Sequence, residues 1–305
     1  MRKSIPFFLV DAFTDTPFAG NPAGVFFDDD AVLSADDMRQ MAGEISLESG
    51  FVLPPGDSGA DFRLRYFTDV TEVPLCGHDT VAATVALIHT GRLSVGADVV
   101  YATGIGLLPV STARSVAGRV DVTLHQTPRA MGDAVSDTGI AEIARAVGCA
   151  PGEITASGLP ARRASSGTPF LLVPVASRGA VDAAPASFPA IEAVSKTYEA
   201  LGVYVFTVEQ EGDTVAVWSR SFCPLAGLNE DPVTGSASGA LGWYLAVNGI
   251  LRTGGPDELT IRQGFGGKRG GQARVRVSRG DDGVVARIDV TGTAILLSEG
   301  QFTAH

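Results

Sequence analysis

Two stretches of this chain spell the same turn ahead of the same kind of helix, and that repetition limits the fold more than any other feature. Arg65-Tyr66-Phe67 leads to Glu72-Val73-Pro74-Leu75-Cys76-Gly77-His78, and Arg220-Ser221-Phe222 leads to Glu230-Asp231-Pro232-Val233-Thr234-Gly235-Ser236. The offset is 155 at the arginines and 158 at the prolines, so the second loop carries three extra residues. Each copy is an acidic-X-Pro-X-X-Gly turn that delivers a polar side chain at a helix start. The helices that follow, through Val81-Ala82-Ala83-Thr84-Val85-Ala86-Leu87-Ile88 and from Ser236 to Val247, are apolar on every side and should be buried all round. A chain with this repeat is expected to be two copies of one domain, each built around its own apolar helix.

The flanking elements repeat in order. Strand-like runs at 7–13, 23–27, 51–53 and 62–67 surround a helix that begins at Ser34, with Asp36 and Asp37 in its dipole-favoured first turn. Three strand-like runs close the first half, the last at 120–124. The second half offers a helix at 140–147, a strand at 170–175, a helix at 190–199, and strands at 202–207 and 214–219. After its apolar helix come strands at 259–262, 273–277, 284–290 and 294–297. The expected class is α+β, with domains at 1–128, completed by a C-terminal strand at 293–300, and 129–292.

Composition excludes several function classes. With 305 residues, 45% hydrophobic and 19% charged, the chain is too apolar for disorder and long enough for two cores. A net charge of −11 supplies no basic face, so no nucleic-acid partner is expected. The apolar run Ile5–Val10 stops at Asp11 and reads as a strand rather than a signal peptide. No run approaches the ~20 residues of a membrane span. Cys76, Cys149 and Cys223 are far apart and form no C-x-x-C pair, so neither a disulfide framework nor a cysteine zinc site is indicated. A reduced, cytoplasmic protein is expected.

A Pro-X-X-Gly turn at a helix start points backbone N–H groups outward along the positive end of the helix dipole. Gly77 and Gly235 permit close approach there, and two such helix ends facing a cleft would suit a carboxylate or a developing enolate. Glu48 sits among Leu47, Gly50, Phe51 and Val52, an apolar setting that would raise a carboxyl toward neutrality and fit it for proton transfer. It could equally be a surface acid at a helix–strand junction. His78 could be a helix cap or a neutral imidazole that shuttles a proton. Asp231 could be an acid near the helix start or the group that fixes a histidine tautomer.

Four motifs in order add a resemblance over essentially the whole chain. They are Asp11-Ala12-Phe13-Thr14 with Pro17-Phe18-Ala19-Gly20-Asn21-Pro22-Ala23-Gly24-Val25; Glu48-Ser49-Gly50-Phe51-Val52; Val73-Pro74-Leu75-Cys76-Gly77-His78; and Asp231-Pro232-Val233-Thr234-Gly235-Ser236-Ala237. Together they resemble the PhzF-like isomerase family of phenazine biosynthesis, within the diaminopimelate-epimerase-like fold. The resemblance implies two pseudo-symmetric halves, each a sheet or barrel wrapped around a central apolar helix. It implies proton transfer by Glu48, assisted by His78, Asp231 and Ser236, with Asn21, Ser49, Gly77, Gly235 and Gly264 at the substrate. The analogous reaction is isomerisation of a dihydro-hydroxyanthranilate, and a homodimer is the family's usual state. Two departures stand out. Ile45-Ser46-Leu47 replaces a commoner Asn-Leu-Ser, and Asp79 stands where a small residue is usual, which bears on the substrate more than on the chemistry. Related racemases use one thiol from each turn. Here Cys76 is paired by the repeat with Thr234, so a two-thiol racemisation is not available, and Cys76 reads as a packed residue.

Other signals are weaker. Gly264-Phe265-Gly266-Gly267-Lys268-Arg269-Gly270-Gly271 lacks the ending of a phosphate-binding loop and reads as a hairpin; the family resemblance implies that Gln263-Gly264, matching a Gln-Gly segment, lies near the site. Gly235–Gly239 misses the hydrolase nucleophile spacing by one residue. His89, His125 and His305 have no metal-ligand spacing, and no dinucleotide fingerprint occurs. The expectation is an isomerase without cofactor or metal, acting on a small carboxylated metabolite held between the halves. Dehydration or epimerisation of a hydroxy or amino acid, and a non-catalytic ligand-binding role, remain as alternatives.

Overall fold

The computed structural model describes residues 3–184, 187–211, 214–252, 257–264 and 269–304. The chain divides into two compact units, residues 1–125 with 291–305, and residues 126–290. The first runs β1 (Lys3–Ala12), β2 (Asn21–Phe27), α1 (Ala35–Ile45), β3 (Ser49–Leu53), β4 (Phe62–Phe67), β5 (Glu72–Val73), α2 (Gly77–His89), β6 (Asp98–Thr103), β7 (Gly106–Arg114) and β8 (Val120–Gln126). The second opens with β9 (Ala130–Ala134), α3 (Asp137–Val147), α4 (Pro151–Thr155), β10 (Arg162–Ser165), β11 (Pro169–Pro174), α5 (Arg178–Asp182) and α6 (Phe188–Thr197). It continues with β12 (Gly202–Glu211), β13 (Thr214–Cys223), β14 (Leu228–Asp231), α7 (Gly235–Val247), β15 (Glu258–Gln263) and β16 (Gly271–Arg279). β17 (Val285–Ala304) begins in the second unit and returns the chain to the first.

In the first unit β1 pairs antiparallel with β2, β2 parallel with β3, β3 antiparallel with β4 and β4 parallel with β6. β6, β7 and β8 continue antiparallel, and β17 joins β8 to β1. The ring is therefore closed, which leaves no open edge along the barrel. Closure explains the apolar helix: α2 packs against β1, β2 and β3, and all its residues except Val85, Ile88 and His89 are buried. Outside, α1 is fixed at its start by a reciprocal Ser34–Asp37 capping box and lays Met38, Met41 and Ala42 against Phe26, Phe51 and Phe67.

The second unit repeats the scheme strand for strand. β10–β11 is antiparallel, β11–β12 parallel, β12–β13 antiparallel, β13–β15 parallel and β15–β16 antiparallel. Its buried helix α7 packs on β10, β11 and β16. α3 and α6 cover the sheet through Ile143, Val147 and Ile191 against Leu171, Val173 and Val203. The α+β class and the two buried apolar helices expected from the sequence both hold.

Some elements differ from the sequence expectation. β9, β10, α4 and α5 are each only four or five residues long, too short for a period to show. The two C-terminal runs are one continuous strand. Within it, the missing Cβ of Gly292 makes room for the Phe13 ring. Residues 265–268 of the glycine-rich run lie outside the described residues. Among the described residues, no helix is long and apolar enough to cross a membrane.

Candidate active site

In the first unit, the end of α1 sets the position of Glu48. Ser46 takes a left-handed conformation (φ 54°), and the Ser46 and Leu47 amides close back on Gly43 and Ala42, which turns the chain sharply out of the helix. Glu48 follows, with its carbonyl accepting from the Gly24 amide (3.3 Å). A Cβ on Gly24 would lie 2.7 Å from the Ser49 hydroxyl, so the glycine lets β2 and β3 approach closely at this point. The Glu48 side chain is half-buried.

Facing it is the start of α2. One carboxylate oxygen of Glu48, Cys76 Sγ and a ring nitrogen of His78 all lie within 4.8 Å of one another. Cys76 Sγ is 3.1 Å from His78 Nδ1, and the opposite ring nitrogen, Nε2, lies 3.4 Å from an Asp79 carboxylate oxygen without hydrogen-bond alignment. His78 and Asp79 are both buried, and burial pushes the imidazole pKa down to about 3, so it is neutral at physiological pH. A carboxylate beside Nε2 favours the tautomer with its proton there, which leaves Nδ1 to accept from the thiol. Beneath, Thr80 Oγ1 donates to the Cys76 carbonyl (2.6 Å) and accepts from the Tyr66 hydroxyl (2.8 Å). Burial holds that phenol protonated.

The second unit builds the equivalent helix start from neutral hydroxyls and one carboxylate. Asp231 ends β14, and its Oδ2 accepts from Thr234 Oγ1 at 2.5 Å. Gln263, fully buried, locks the turn: its Nε2 donates to Asp231 O (2.8 Å) and Thr234 Oγ1 (2.9 Å), and its Oε1 accepts from the Thr234 amide (3.0 Å). Ser236 lies in the first turn of α7, nearly buried, and its carbonyl accepts from Ser166 (3.3 Å). Gly264 has φ 81°, and a Cβ there would lie 2.6 Å from the Pro232 carbonyl.

The repeat extends to individual contacts. Arg65 grips Glu72 through two 2.7 Å bonds, and Arg220 grips Glu230 through two of the same length. Ser238 donates to the Thr234 carbonyl (2.8 Å) as Thr80 does to Cys76. Gly104 meets Pro74 as Gly264 meets Pro232.

The structure thus brings Glu48 and His78 together, and it puts Asp231, Ser236, Gly235 and Gly264 around one turn. Gly77 and Gly235 are the first residues of α2 and α7. Neither His78 nor Ser236 is a helix cap: the cap positions are Cys76 and Thr234, and neither caps with its side chain. Asn21 opens β2, buried opposite Ala12. Ser49 is fully buried and spends its hydroxyl on the Leu47 carbonyl (3.1 Å), so it shapes the strand start. Two residues noted in the sequence make contacts with His78 that the sequence did not indicate. Cys76 is packed, as expected, yet it also touches the imidazole. Asp79 lies beside His78 Nε2, and only its departure from the family pattern drew attention to it. The donor set of Glu48, Cys76 and His78 is also one that could hold a metal ion.

Comparison with known proteins identifies the family and the fold. The model of the phenazine biosynthesis-like protein family matches residues 10–300. The uncharacterised isomerase YddE of Escherichia coli is 31% identical over 296 residues, 96% of each chain. A PhzF-family phenazine biosynthesis protein of Bacillus anthracis is similar in structure, with a TM-score of 0.84 and 30% identity, covering 98% of this chain and 99% of that one. A hydroxyproline epimerase from Agrobacterium vitis, 15% identical with a TM-score of 0.63 over 98% of this chain and 91% of its own, shares the fold. The chain belongs to the phenazine biosynthesis-like family, and it is an isomerase of that family.

Proposed function

We propose that this isomerase acts on a small carboxylated metabolite, without a cofactor, by moving one proton from one position of the substrate to another. Glu48 is the carrier. As a carboxylate it takes the proton from carbon and becomes the acid; it then returns the same proton at the second position and is again a carboxylate. The observation that carries this reading is the cluster of Glu48, Cys76 and His78 within 4.8 Å at the start of a buried helix.

The neighbours support the assignment. A neutral imidazole beside Glu48 can polarise substrate without adding a charge that would hold Glu48 permanently ionised. Neither N-cap side chain caps its helix, so the first-turn amides at Gly77 and Gly235 suit substrate carboxylate or enolate oxygens. Asp231, held by Thr234, and Ser236 take the assisting roles in the second unit.

The test is proton–deuterium exchange into candidate carboxylates in D₂O with the wild type and Glu48→Gln. The glutamine keeps shape and hydrogen bonding but cannot accept a proton from carbon. Exchange should fall by about 10²–10⁴-fold, the usual worth of general base catalysis. Exchange that survives the substitution would remove Glu48 from the role of carrier.

A further inference from the structure

We infer that Glu48, Cys76 and His78 also form a binding site for a thiophilic divalent cation of the Zn²⁺ class, whose occupancy blocks proton transfer. The three side chains offer one oxygen, one sulfur and one nitrogen, the mixed set that suits Zn²⁺ and that hard cations such as Mg²⁺ avoid. In a tetrahedral zinc site, metal–ligand bonds of about 2.0–2.3 Å place ligand atoms roughly 3.5 Å apart. Cys76 Sγ and His78 Nδ1 already stand 3.1 Å apart, and all three donors lie within 4.8 Å. Glu48 is the half-buried member, on a loop residue with rotatable bonds, so it can close the remaining distance.

The second contact of the histidine matters as much as the first. With Nδ1 on the metal, Nε2 must carry the proton, and it lies 3.4 Å from an Asp79 oxygen, which a rotation of the ring on binding would bring into hydrogen-bond alignment. A carboxylate behind a metal-bound imidazole fixes its tautomer and orientation and typically contributes 10–100-fold to metal affinity. The fully buried Asp79 has no part in the proton transfer proposed for Glu48, but it is well placed for this one. The second unit has no equivalent: Thr234, Ser236 and Ala237 occupy the positions of Cys76, His78 and Asp79, and they offer no thiol, imidazole or carboxylate.

The balance is simple. The cation displaces the thiol proton to solvent and binds thiolate, imidazole and carboxylate, leaving a fourth position for water. The Glu48 lone pair is then held by the metal, so Glu48 no longer accepts a proton.

The site is tested on the full chain with Co²⁺, Zn²⁺ and Mg²⁺ added singly to metal-stripped protein. One equivalent of Co²⁺ should give a thiolate-to-cobalt charge-transfer band that Zn²⁺ removes and Mg²⁺ does not. Cys76→Ser should abolish the band and weaken binding at least 100-fold, while Asp79→Asn should keep the band and weaken binding 10–100-fold. If Cys76→Ser does not fold by circular dichroism, the Asp79→Asn titration carries the test alone. Absence of the band, its persistence in Cys76→Ser, or unchanged affinity in Asp79→Asn would each overturn the site. The blocking effect rests on the Glu48 reading. It is supported if one equivalent of Zn²⁺ lowers deuterium exchange by tenfold or more, and overturned if exchange is unchanged while the cobalt spectrum shows the site filled. If the metal-free enzyme exchanges none of the carboxylates offered, the functional reading fails, and the spectrum still judges the site.

Discussion

The starts of α2 and α7 share a frame but not a chemistry. Both have the bidentate Arg–Glu pair, the glycine pressed on the turn proline, and a hydroxyl four residues into the helix that donates to the N-cap carbonyl. Within that frame the first unit holds a thiol, an imidazole and a buried carboxylate. The second has two hydroxyls and an alanine at those three positions, with its carboxylate, Asp231, before the helix and Gln263 stitched across the turn. The frame has to hold a helix end open in either case, so it is kept. The ionisable load can vary without disturbing the frame because it hangs on side chains at Cys76, His78 and Asp79 that the frame does not use. On the function proposed above, proton handling falls to the first unit and hydrogen bonding, around the Asp231 carboxylate, to the second.

The largest expected effect breaks that contrast directly. His78→Asn should lower deuterium exchange by about 10²–10⁴-fold, because it removes the only imidazole described beside Glu48. Ser236→Ala, at the equivalent position, should lower it by about 10-fold, the worth of one hydrogen bond of roughly 1–1.5 kcal/mol. Exchange rates of the two variants on one substrate are the measurement. Equal losses would mean that the two helix starts are functionally alike.

How far the sequence revealed this depends on what each feature needs. The two apolar helices were legible because burial on every face leaves a run with no polar stripe. The turn repeat was legible because Pro74 and Pro232 with their glycines are local constraints. Contacts between distant residues were not. Arg65 and Glu72 were both in the quoted repeat, yet nothing along the chain says that one grips the other across β4 and β5. Gln263 is placed near the site only by the family's Gln-Gly segment; its three bonds to the turn depend on β15 lying parallel to β13. Asp79 follows His78 directly, but whether it faces solvent or the imidazole is decided by the barrel around α2.

The next effect is on stability and tests the shared frame. Gly264→Ala should cost about 3 kcal/mol or more. It forces a side chain onto a left-handed backbone (φ 81°) and puts a Cβ 2.6 Å from the Pro232 carbonyl. Gly104→Ala has the overlap, 2.8 Å from Pro74 Cα, but no left-handed backbone, and should cost about 1–3 kcal/mol. Urea unfolding of both variants gives the comparison. A larger loss at Gly104 would show that the turn of the first unit is the more rigid one.

The smallest effect uses pH to locate the ionisable load. Burial lowers the His78 pKa from 6.5 to about 3, so below pH 6.5 the unfolded chain binds a proton that the folded chain refuses. Stability from this residue is complete above pH 6.5, falls as pH drops from 6.5 toward 3, and levels off below that. Between pH 7 and 5 the loss is about 2 kcal/mol at 1.36 kcal/mol per pH unit. Groups facing the ring are Cys76 on Nδ1, Asp79 near Nε2, and Glu48; the carboxylates titrate mainly below pH 5 in the unfolded chain. The difference in unfolding free energy between wild type and His78→Asn, measured at pH 7 and pH 5, therefore isolates the imidazole. That difference should change by about 2 kcal/mol against the wild type on going to pH 5, whereas Ser236→Ala should track the wild type at both pH values. A His78→Asn variant that loses stability in parallel with the wild type would mean that the imidazole is protonated in the folded state, and the neutral role assigned to it beside Glu48 would have to be exchanged for a cationic one.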